Sequence, residues 1–410
     1  MPTPTTTTGA PGADSPPNAP TFDLNDPTSF PDPETAGGPK DEVALCLSGG
    51  GYRAMLFHVG ALWRLNEAAL LKRLARVSSV SGGSITAGVL GLHWRELRFD
   101  AKGVVQNLDL VFDKVGDFAG RTVDEGSVLS GLLLPGTIAD KVAAAYDRHL
   151  FKGRTLRDLP GPGEGPTFVI NATNVQSGAV WRFTREYMGD WRVGRIPGPR
   201  VALSRAVAAS SAFPPVLSPL TLDLDPGEFT LRDGADLADD KFRDNVVLSD
   251  GGVYDNLGLE TAFKRCRVLL VSDAGQKMSP EADPAGDWAR HSVRVMGLLD
   301  NQVRNLRKRQ LIDAYTRDPK HRDARAGTYW GIRSHFRDYA VTDPLGVGTD
   351  AASDRMTEAL AAVKTRLKAM PKDVQRRLIN WGYAICDTGL RAYVEPGLSQ
   401  SGLPYPAREM

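Results

Sequence analysis

Cysteine is scarce in this sequence, and the three that occur form no pattern. Cys46, Cys266 and Cys386 are spread over 410 residues, and such an odd number at such wide spacing fits neither a disulfide framework nor a zinc site. Cys46 and Cys266 lie in or beside apolar strand-like runs, where we expect them to be buried as small hydrophobic side chains. A reducing compartment therefore fits the chain best.

Net charge and long hydrophobic runs are also lacking. The 50 lysine and arginine residues nearly cancel the 49 aspartate and glutamate residues, leaving +1, and this balance gives no reason to expect a nucleic-acid partner. No apolar run is long enough to span a bilayer, and the amino terminus lacks the basic and apolar regions of a secretory signal. We therefore expect a cytoplasmic protein with at most peripheral contact to membranes.

Apolar residues are almost absent from the first part of the chain as well. Residues 1–40 are rich in Pro, Thr, Gly and Asp, and because such a segment cannot bury enough surface to fold, we predict a disordered tail. Length alone allows two or three domains, but no linker-like break interrupts the remainder. We predict one large domain, with a core over residues 41–286 and a helical part over residues 287–410 packed on it.

The first half of the ordered chain alternates strand and helix. Residues 43–47 are a short apolar run that ends in glycines, as buried parallel strands do, and residues 52–71 carry apolar side chains along one helical face. Residues 76–80 and 84–97 repeat this order. The alternation predicts a right-handed crossover in a parallel sheet, with a glycine turn at the carboxyl end of each strand.

More strands and helices follow in the rest of the chain. We predict strands over residues 167–173, 178–183, 246–249, 267–272 and 328–332, and helices over residues 201–210 and from about residue 287 onward. The predicted fold class is therefore α/β.

Three consecutive glycines follow the first strand, at Gly49, Gly50 and Gly51. Without Cβ atoms, several N–H groups can converge on one negative charge, and the next helix directs its positive end to the same point. An oxyanion hole, a dinucleotide fingerprint completed by Ala54 and a plain turn remain open. A phosphate-binding loop is excluded, because it requires a Gly-Lys-Ser/Thr sequence that is absent here. The dinucleotide fingerprint is disfavoured, because no acidic residue ends the second strand.

The second strand ends in a turn of the type that holds a nucleophilic serine. Ser81 lies at the centre of the bend, and Gly82 and a second glycine follow it, which relieves the strain of a nucleophile elbow. The glycine that usually stands two positions before the serine is Ser79 here. Ser78, Ser79 and Ser84 remain rival nucleophiles, and a simple helix N-cap remains the structural alternative.

A serine hydroxyl needs a base, and histidine is scarce. None of the six histidines lies at a predicted strand end with turn residues around it; they are His58, His93, His149, His291, His321 and His335. Asp250 is better placed, at the carboxyl end of a strand and before two glycines. A carboxylate can take the proton when it is held in a dry, preorganised site, although Asp-Gly-Gly is also a common simple turn.

Together these motifs resemble the patatin-like phospholipase family. They are Ser-Gly-Gly-Gly-Tyr-Arg-Ala at residues 48–54, Ser-Val-Ser-Gly-Gly at residues 79–83 and Asp-Gly-Gly at residues 250–252, in that order. The glycine-rich stretch is also similar to that of cytosolic phospholipase A2 catalytic domains, and residues 204–215 resemble the family's segment before the aspartate strand. The resemblance covers about residues 42–275.

The resemblance implies a three-layer α/β/α fold with a mostly parallel central sheet, and a serine–aspartate dyad without histidine. Carried over by position, Ser81 is the nucleophile and Asp250 is the base that takes its proton. The implied reaction is hydrolysis of a fatty-acyl ester, from a lipid or at a membrane surface, through an acyl-serine intermediate. No metal or other cofactor is implied.

The resemblance also assigns the residues around the dyad. Gly49, Gly50 and Gly51, together with Gly82, supply the amides of the oxyanion hole. Arg53 matches the family's basic position and either positions a lipid phosphate or pins the loop. A silent member that only binds lipid or a protein partner, and an α/β-hydrolase-type esterase that uses a histidine, remain the alternatives. Nothing in the sequence identifies a protein activator.

Basic residues cluster in the predicted carboxyl-terminal helix, at Arg304, Arg307, Lys308 and Arg309. Such a cluster can contact anionic lipid headgroups, as an enzyme acting at a lipid surface requires. The charges spread around the helix and acidic residues lie close by, which favours a solvated helix face instead.

Overall fold

The computed structural model describes residues 38–123, 137–231, 235–276, 278–341, 351–399 and 401–405, and the structural statements below concern these residues. The strands are β1 Lys40–Leu47, β2 Leu74–Ser79, β3 Thr167–Asn174, β4 Ala179–Phe183, β5 Tyr187–Asp190, β6 Gly194–Pro197, β7 Leu220–Asp223, β8 Asn245–Asp250, β9 Cys266–Asp273 and β10 Ala326–Gly331. The helices are α1 Gly51–Glu67, α2 Gly82–His93, α3 Asp109–Ala119, α4 Ile138–Tyr146, α5 Leu203–Ser210, α6 Gly252–Asp255, α7 Glu260–Phe263, α8 Trp288–Thr316, α9 Ala351–Ala361 and α10 Lys372–Tyr393. Of the predicted tail, residues 1–37 lie outside the described ranges.

The strands form one sheet with a parallel centre. Its order is β10-β9-β1-β2-β3-β4-β5-β6, and neighbours run parallel from β10 to β3 and antiparallel from β3 to β6. β8 pairs antiparallel with both β3 and β7. Helices cover both faces, so the predicted α/β/α fold is confirmed. The sequence analysis did not foresee β5, β6 and β7, which are only four residues long each.

The two faces of the sheet bury different cores. Leu45 and Leu47 of β1 pack in the core that α1, α2 and α10 help to form, whereas Ala44 and Cys46 pack in the core that includes α7 and α8. Alternate side chains of a strand lie on opposite faces of the sheet. Both faces are covered by helices here, and β1 is therefore apolar on both sides. Cys46 and Cys266 are buried as predicted, and neither forms a disulfide.

The carboxyl-terminal part contributes to the same sheet and core. β10 adds a parallel strand beside β9, and α10 packs along α1. Arg64 of α1 and Asp387 of α10 form a buried ion pair with an N–O distance of 2.8 Å. Among the helices of the described ranges, none is both long and apolar enough to cross a membrane.

Two glycines let α1 and α10 approach each other to backbone contact. A Cβ atom on Gly60 would lie 1.9 Å from the carbonyl oxygen of Ile379, and one on Gly382 would lie 2.0 Å from that of Phe57. Both distances are far shorter than a van der Waals contact. The crossing therefore has no room for a methyl group at either position.

We expect Gly60→Ala to lower the free energy of unfolding by about 2–3 kcal/mol, because the two helices must move apart to admit the methyl group. Urea unfolding measures this change. Gly116→Ala in α3 is the matched control, since its Cβ would meet only Gln375 Oε1 at 3.9 Å. That variant should gain about 0.5–1 kcal/mol from lower backbone entropy in the unfolded chain. A Gly60→Ala protein as stable as the parent would contradict the close crossing.

Candidate active site

The two strands that carry Ser81 and Asp250 meet end to end. β4 occupies one edge of β3, and β2 and β8 lie along the other, β2 parallel and β8 antiparallel to it. Ser79, the last residue of β2, pairs with Ile170, and Asp250, the last residue of β8, pairs with Ala172. The two carboxyl ends therefore point at each other, and this brings Ser81 beside Asp250.

Ser81 lies in a strained bend between β2 and α2. Its φ of 51° and ψ of −119° are angles that a residue with a side chain rarely adopts, at a cost of about 1–3 kcal/mol. The glycines that follow allow the bend to pack closely. A Cβ on Gly82 would lie 2.1 Å from the carbonyl oxygen of Gly51, and one on Gly83 would lie 2.5 Å from that of Leu47. This geometry agrees with the nucleophile elbow predicted from the sequence.

Ser210, the last residue of α5, holds both parts of the pair. Its Oγ accepts the backbone N–H of Ser81 at 2.9 Å, and its carbonyl oxygen accepts the N–H of Gly251 at 3.3 Å. Ser210 is thus a positioning residue, which the sequence analysis did not single out. The only signal was its place within residues 204–215, the segment that resembles the family.

The rival serines are buried and engaged in structural hydrogen bonds. Ser78 Oγ donates to a backbone carbonyl at 2.6 Å, Ser79 Oγ donates to a carbonyl of β3 at 3.3 Å, and Ser84 Oγ donates to Ser79 Oγ at 3.0 Å. Ser79 lies in a regular strand, so this position needs no glycine. The departure from the family pattern is therefore accommodated without distorting the bend at Ser81.

Asp250 is almost fully buried and has a perturbed pKa. Burial raises the pKa of its carboxyl group from 3.8 to about 7, against the opposing effects of hydrogen bonds from the Gly252 N–H and the Ser81 hydroxyl. The Gly252 N–H lies 2.7 Å from Oδ1. The negative charge of Asp300 adds to the upward shift. A carboxyl group with a pKa near neutrality can both accept and return a proton.

No histidine is placed to serve Ser81. His58 is fully buried, with Nδ1 2.8 Å from Ser272 Oγ and Nε2 2.9 Å from the carbonyl oxygen of Ser48. Burial lowers the pKa of this imidazole to about 4, so it is neutral and structural. All six histidines lie in the described ranges, and none of them lines the cavity that contains Ser81.

Three of the four predicted oxyanion amides are unoccupied. Within the described residues, the N–H groups of Gly50, Gly51 and Gly82 have no hydrogen-bond acceptor. The N–H of Gly49 instead donates to both the carbonyl oxygen and Oδ1 of Asn256, each at 3.1 Å. The expectation that Gly49 contributes to an oxyanion hole is therefore corrected, because that amide already has acceptors.

Asn256 is a second residue that the sequence analysis missed. Besides holding Gly49, its Nδ2 donates to Asp300 Oδ1 at 3.3 Å. It therefore joins the glycine turn to a carboxylate of α8. Asn256 follows the Asp-Gly-Gly motif by four residues. It lies 207 positions after Gly49 in the sequence, so only folding brings the two residues into contact.

Arg53 is buried and ties the first turn of α1, just after the glycine turn, to two distant segments of the chain. Its Nε and Nη2 donate to the carbonyl oxygen of Ala274 at 3.0 and 2.8 Å, and its Nη1 donates to that of Val363. Burial, together with the nearby charge of Arg304, lowers its pKa to about 9. Of the two roles expected for Arg53, these contacts favour the pinning role over phosphate positioning.

A family match covers the part of the chain that contains both residues of the pair. The profile of the patatin-like phospholipase family matches residues 45–263, which is more than half of the 410 residues. This chain belongs to the patatin-like phospholipase family. No curated protein matches it.

Solved structures similar to this patatin-like chain include a human enzyme and a bacterial protein. Human GIVD cytosolic phospholipase A2 is 14% identical, covering 85% of this chain and 61% of that one, with a TM-score of 0.49. The structure of that enzyme with methyl gamma-linolenyl fluorophosphonate is 15% identical. The match covers 85% of this chain and 57% of that one, with a TM-score of 0.48. VipD from Legionella pneumophila is 14% identical, covering 83% and 67%, with a TM-score of 0.32. The chain thus spans less than two thirds of either human structure.

A cavity of about 460 Å³ lies over Ser81 and Asp250 of this patatin-like protein. The side chains of Phe213, Met278, Val293 and Met296 give it apolar walls, and Gly297, Asp300, Arg304 and Thr365 also line it. Much of the wall therefore comes from α8 and the segment after α9, beyond the residues that the family profile matches. A larger cavity, of about 730 Å³, lies along β10 between α8 and α10 and includes none of the predicted site residues.

The basic cluster of α8 is mostly turned inward, which corrects the solvated face that the sequence favoured. Arg304 is buried and donates to a backbone carbonyl at 2.8 Å. Arg307 pairs with Glu260 at 2.8 Å, and Lys308 lies over an aromatic ring at 4.2 Å from its centroid. Only Arg309 is exposed. The cluster is held by partners within the protein, so it does not form one lipid-facing surface.

Proposed function

We propose that this chain is a lipid acyl hydrolase, of the phospholipase A or lysophospholipase type, with Ser81 as nucleophile and Asp250 as base. One observation carries the proposal: Ser81 and Asp250 line the same cavity with apolar walls, with Ser81 in a strained bend at the end of β2 and Asp250 buried at the facing end of β8. Membership of the patatin-like phospholipase family supports a lipid as substrate.

The first half of the proposed reaction forms an acyl-serine. Asp250 accepts the proton of the Ser81 hydroxyl as Oγ attacks the ester carbonyl carbon, and the carbonyl oxygen becomes an oxyanion. The tetrahedral intermediate then collapses, the carbonyl double bond re-forms, and the bond to the alcohol oxygen breaks. Asp250 returns its proton to that oxygen, so the alcohol leaves neutral.

The second half regenerates the serine. Ionised Asp250 takes a proton from a water molecule, whose oxygen attacks the acyl carbon. Collapse of the second tetrahedral intermediate breaks the bond to Ser81 Oγ, which receives the proton from Asp250, and a fatty acid leaves. Both steps use the same base, which is why a single carboxylate suffices without a histidine.

The amides of Gly50, Gly51 and Gly82 are proposed to stabilise the oxyanion. They surround Ser81 at the amino-terminal ends of α1 and α2 and are without acceptors in the described residues. Preorganised N–H donors of this kind contribute about 3–4 kcal/mol each to transition-state stabilisation. The helix ends add positive potential at the same place.

The cavity walls suit an acyl chain. Phe213, Met278, Val293 and Met296 are apolar, and the two methionines are flexible enough to adapt to unbranched chains. The volume of about 460 Å³ lies within the usual range for ligand pockets, about 300–1,000 Å³. Arg294 and Asp300 supply polar groups at the same cavity for the headgroup side of the ester.

Fatty-acid release from lipids tests the proposal. We expect release from at least one of phosphatidylcholine, lysophosphatidylcholine and triacylglycerol, presented as micelles or vesicles, together with hydrolysis of a soluble short-chain ester. A Ser81→Ala protein assayed in parallel gives the background. Failure with every lipid and with the short-chain ester would favour the alternative of a member that binds lipid or a partner without turnover.

A further inference from the structure

The larger cavity of the protein runs along an edge of the sheet. Strand β10 is the first strand in the order of the described sheet and pairs with β9. Residues 324–329, which include the start of β10, line the cavity of about 730 Å³ as one continuous stretch. One wall comes from α8 with Lys308 and Tyr315, and another comes from Tyr339 and Tyr393. We call this cavity the edge groove.

The floor of the edge groove presents backbone groups of β10. Tyr339 Oη donates to the carbonyl oxygen of Tyr329 at 2.9 Å, and the N–H of Gly331 donates to Ser334 Oγ at 3.1 Å, so both backbone groups point away from β9. Because the polar groups of a strand alternate in direction, the Tyr329 N–H and the Gly327 carbonyl oxygen point to the same side. An edge of this kind is a template for an added strand.

The edge groove carries more basic than acidic residues. The basic ones are Arg267, Lys308, Arg317 and Arg325, and the acidic ones are Asp41 and Asp338. Arg317 and Arg325 already have partners within the protein. No carboxylate oxygen of the described residues lies within 4.0 Å of Arg267 or Lys308, and Lys308 instead lies over an aromatic ring. These two side chains are therefore available to an acidic ligand.

The amino-terminal tail has the opposite charge and a sequence that fits the groove. Residues 1–37 contain five acidic residues and no lysine or arginine. Their longest run without proline or glycine is Thr-Phe-Asp-Leu-Asn-Asp at residues 21–26. Phe22 and Leu24 share one face of this run when it is extended, because side chains alternate along a strand. The run has the same length as the stretch that lines the groove, residues 324–329.

The tail joins the described chain beside the edge groove. Lys40, the first residue of β1, pairs with Cys266 of β9, and Asp41 lines the groove. Only β9 separates β1 from β10, so the start of β1 lies two strand spacings, about 10 Å, from the edge. Residues 27–37 can span up to about 36 Å, and an antiparallel approach to β10 needs no crossover. A tether of this kind holds the run at an effective concentration of about millimolar.

We propose that residues 21–26 dock in the edge groove of the same chain and add an antiparallel strand to β10. The run pairs with the free backbone groups of β10, its two apolar side chains contact the tyrosine rings of the walls, and its aspartates lie near Arg267 and Lys308. The docked run covers an edge of the sheet that other chains could otherwise use as a template. This inference does not depend on the proposed hydrolase function.

Hydrogen–deuterium exchange of the full chain, followed by mass spectrometry of its peptides, tests the docking. Relative to intrinsic rates, we expect the parent's residues 21–26 to exchange about tenfold or more slowly than residues 5–8 of the same tail. Phe22→Ser with Leu24→Ser should remove this protection and speed exchange in β10. The matched control is Phe30→Ser, which removes the tail's other aromatic residue outside the run and should keep the protection. Unchanged exchange in β1 and β2 establishes that the variants are folded.

A second pair of substitutions tests the charge. Asp23→Asn with Asp26→Asn should lower the protection about threefold, since it removes the attraction to the basic side chains of the groove. A parent without protection of residues 21–26, or a double serine variant that retains it, overturns the docking. Equal loss in the Phe30→Ser control overturns it as well, because the contact would then not belong to this run. Protection that falls on dilution would overturn docking within one chain and assign the groove to the tail of a second copy.

Discussion

Ser81→Ala is expected to abolish ester hydrolysis, with kcat falling about 10⁴-fold or more. Without Oγ there is no nucleophile at the bend, and the hydroxyls of the rival serines Ser78, Ser79 and Ser84 are held in structural hydrogen bonds. Initial rates with a soluble short-chain ester measure the loss without interference from lipid packing. Because alanine fits wherever serine does, the unfolding midpoint should be nearly unchanged.

Ser79→Ala is the matched control for Ser81→Ala. Ser79 is two residues away and fully buried, but its hydroxyl donates to a β3 carbonyl and accepts a hydrogen bond from Ser84. We expect this variant to keep its activity within about tenfold of the parent, since only the support of the elbow is weakened. If Ser79→Ala were as inactive as Ser81→Ala, or if Ser81→Ala retained substantial activity, the assignment of the nucleophile would be wrong.

Asp250→Asn is expected to lower kcat about a thousandfold with little effect on folding. The amide keeps the shape of the side chain but cannot accept the Ser81 proton, and general base catalysis of this kind contributes about 10²–10⁴-fold. Stopped assays at high enzyme concentration measure the residual rate. If Asp250→Asn stayed active while a folded His→Ala variant lost activity, an α/β-hydrolase triad would replace the dyad.

The pH profile provides an independent readout of the same residue. Only ionised Asp250 accepts a proton, so kcat/KM should rise about tenfold per pH unit below the pKa of about 7 and level off above it. Asp300→Asn removes a charge that raises this pKa, so the rise should move to lower pH. A profile that is flat from acid to neutral pH would contradict Asp250 as the base.

Linkage gives the sign of the accompanying stability change. The folded pKa of Asp250 is raised from 3.8 to about 7, so the folded protein retains a proton that the unfolded chain releases. The contribution of this group to stability is full below the ordinary pKa and is lost as the pH rises through about 7. Ionisation of Asp250 is therefore expected to raise activity and to lower the free energy of unfolding over the same pH range.

Local patterns in the sequence predicted the central fold, and they placed Ser81 and Asp250 at the ends of strands. The strands and helices around residues 43–97 follow from short apolar runs and glycine turns, which depend on neighbouring residues only. The positions of Ser81 and Asp250 follow from turns at strand ends. Their contact depends on β8 running antiparallel to β3, and the sequence analysis placed Asp250 at a strand end without giving the direction of that strand.

Contacts between distant residues account for what the sequence did not predict. Asn256 accepts the hydrogen bond of the Gly49 N–H, and Arg53 donates to the carbonyl oxygen of Val363, which is 310 positions away. The basic cluster of α8 faces inward because Glu260 and the carbonyl oxygen of Gln276 supply partners that no helical periodicity reveals. Which face of α8 is packed also depends on distant elements: Leu311 is buried, whereas Leu306, about 140° away around the helix, is exposed.

The most direct measurement of the central claim is the site of a covalent adduct. The native protein is treated with an alkyl fluorophosphonate, which reacts with activated serines, and its peptides are mapped by mass spectrometry. We predict one adduct, on Ser81, that forms in the parent and in Ser79→Ala, is slowed strongly in Asp250→Asn and is absent in Ser81→Ala. An adduct on another serine of the site, or no adduct on a protein that hydrolyses esters, would contradict the serine–aspartate pair.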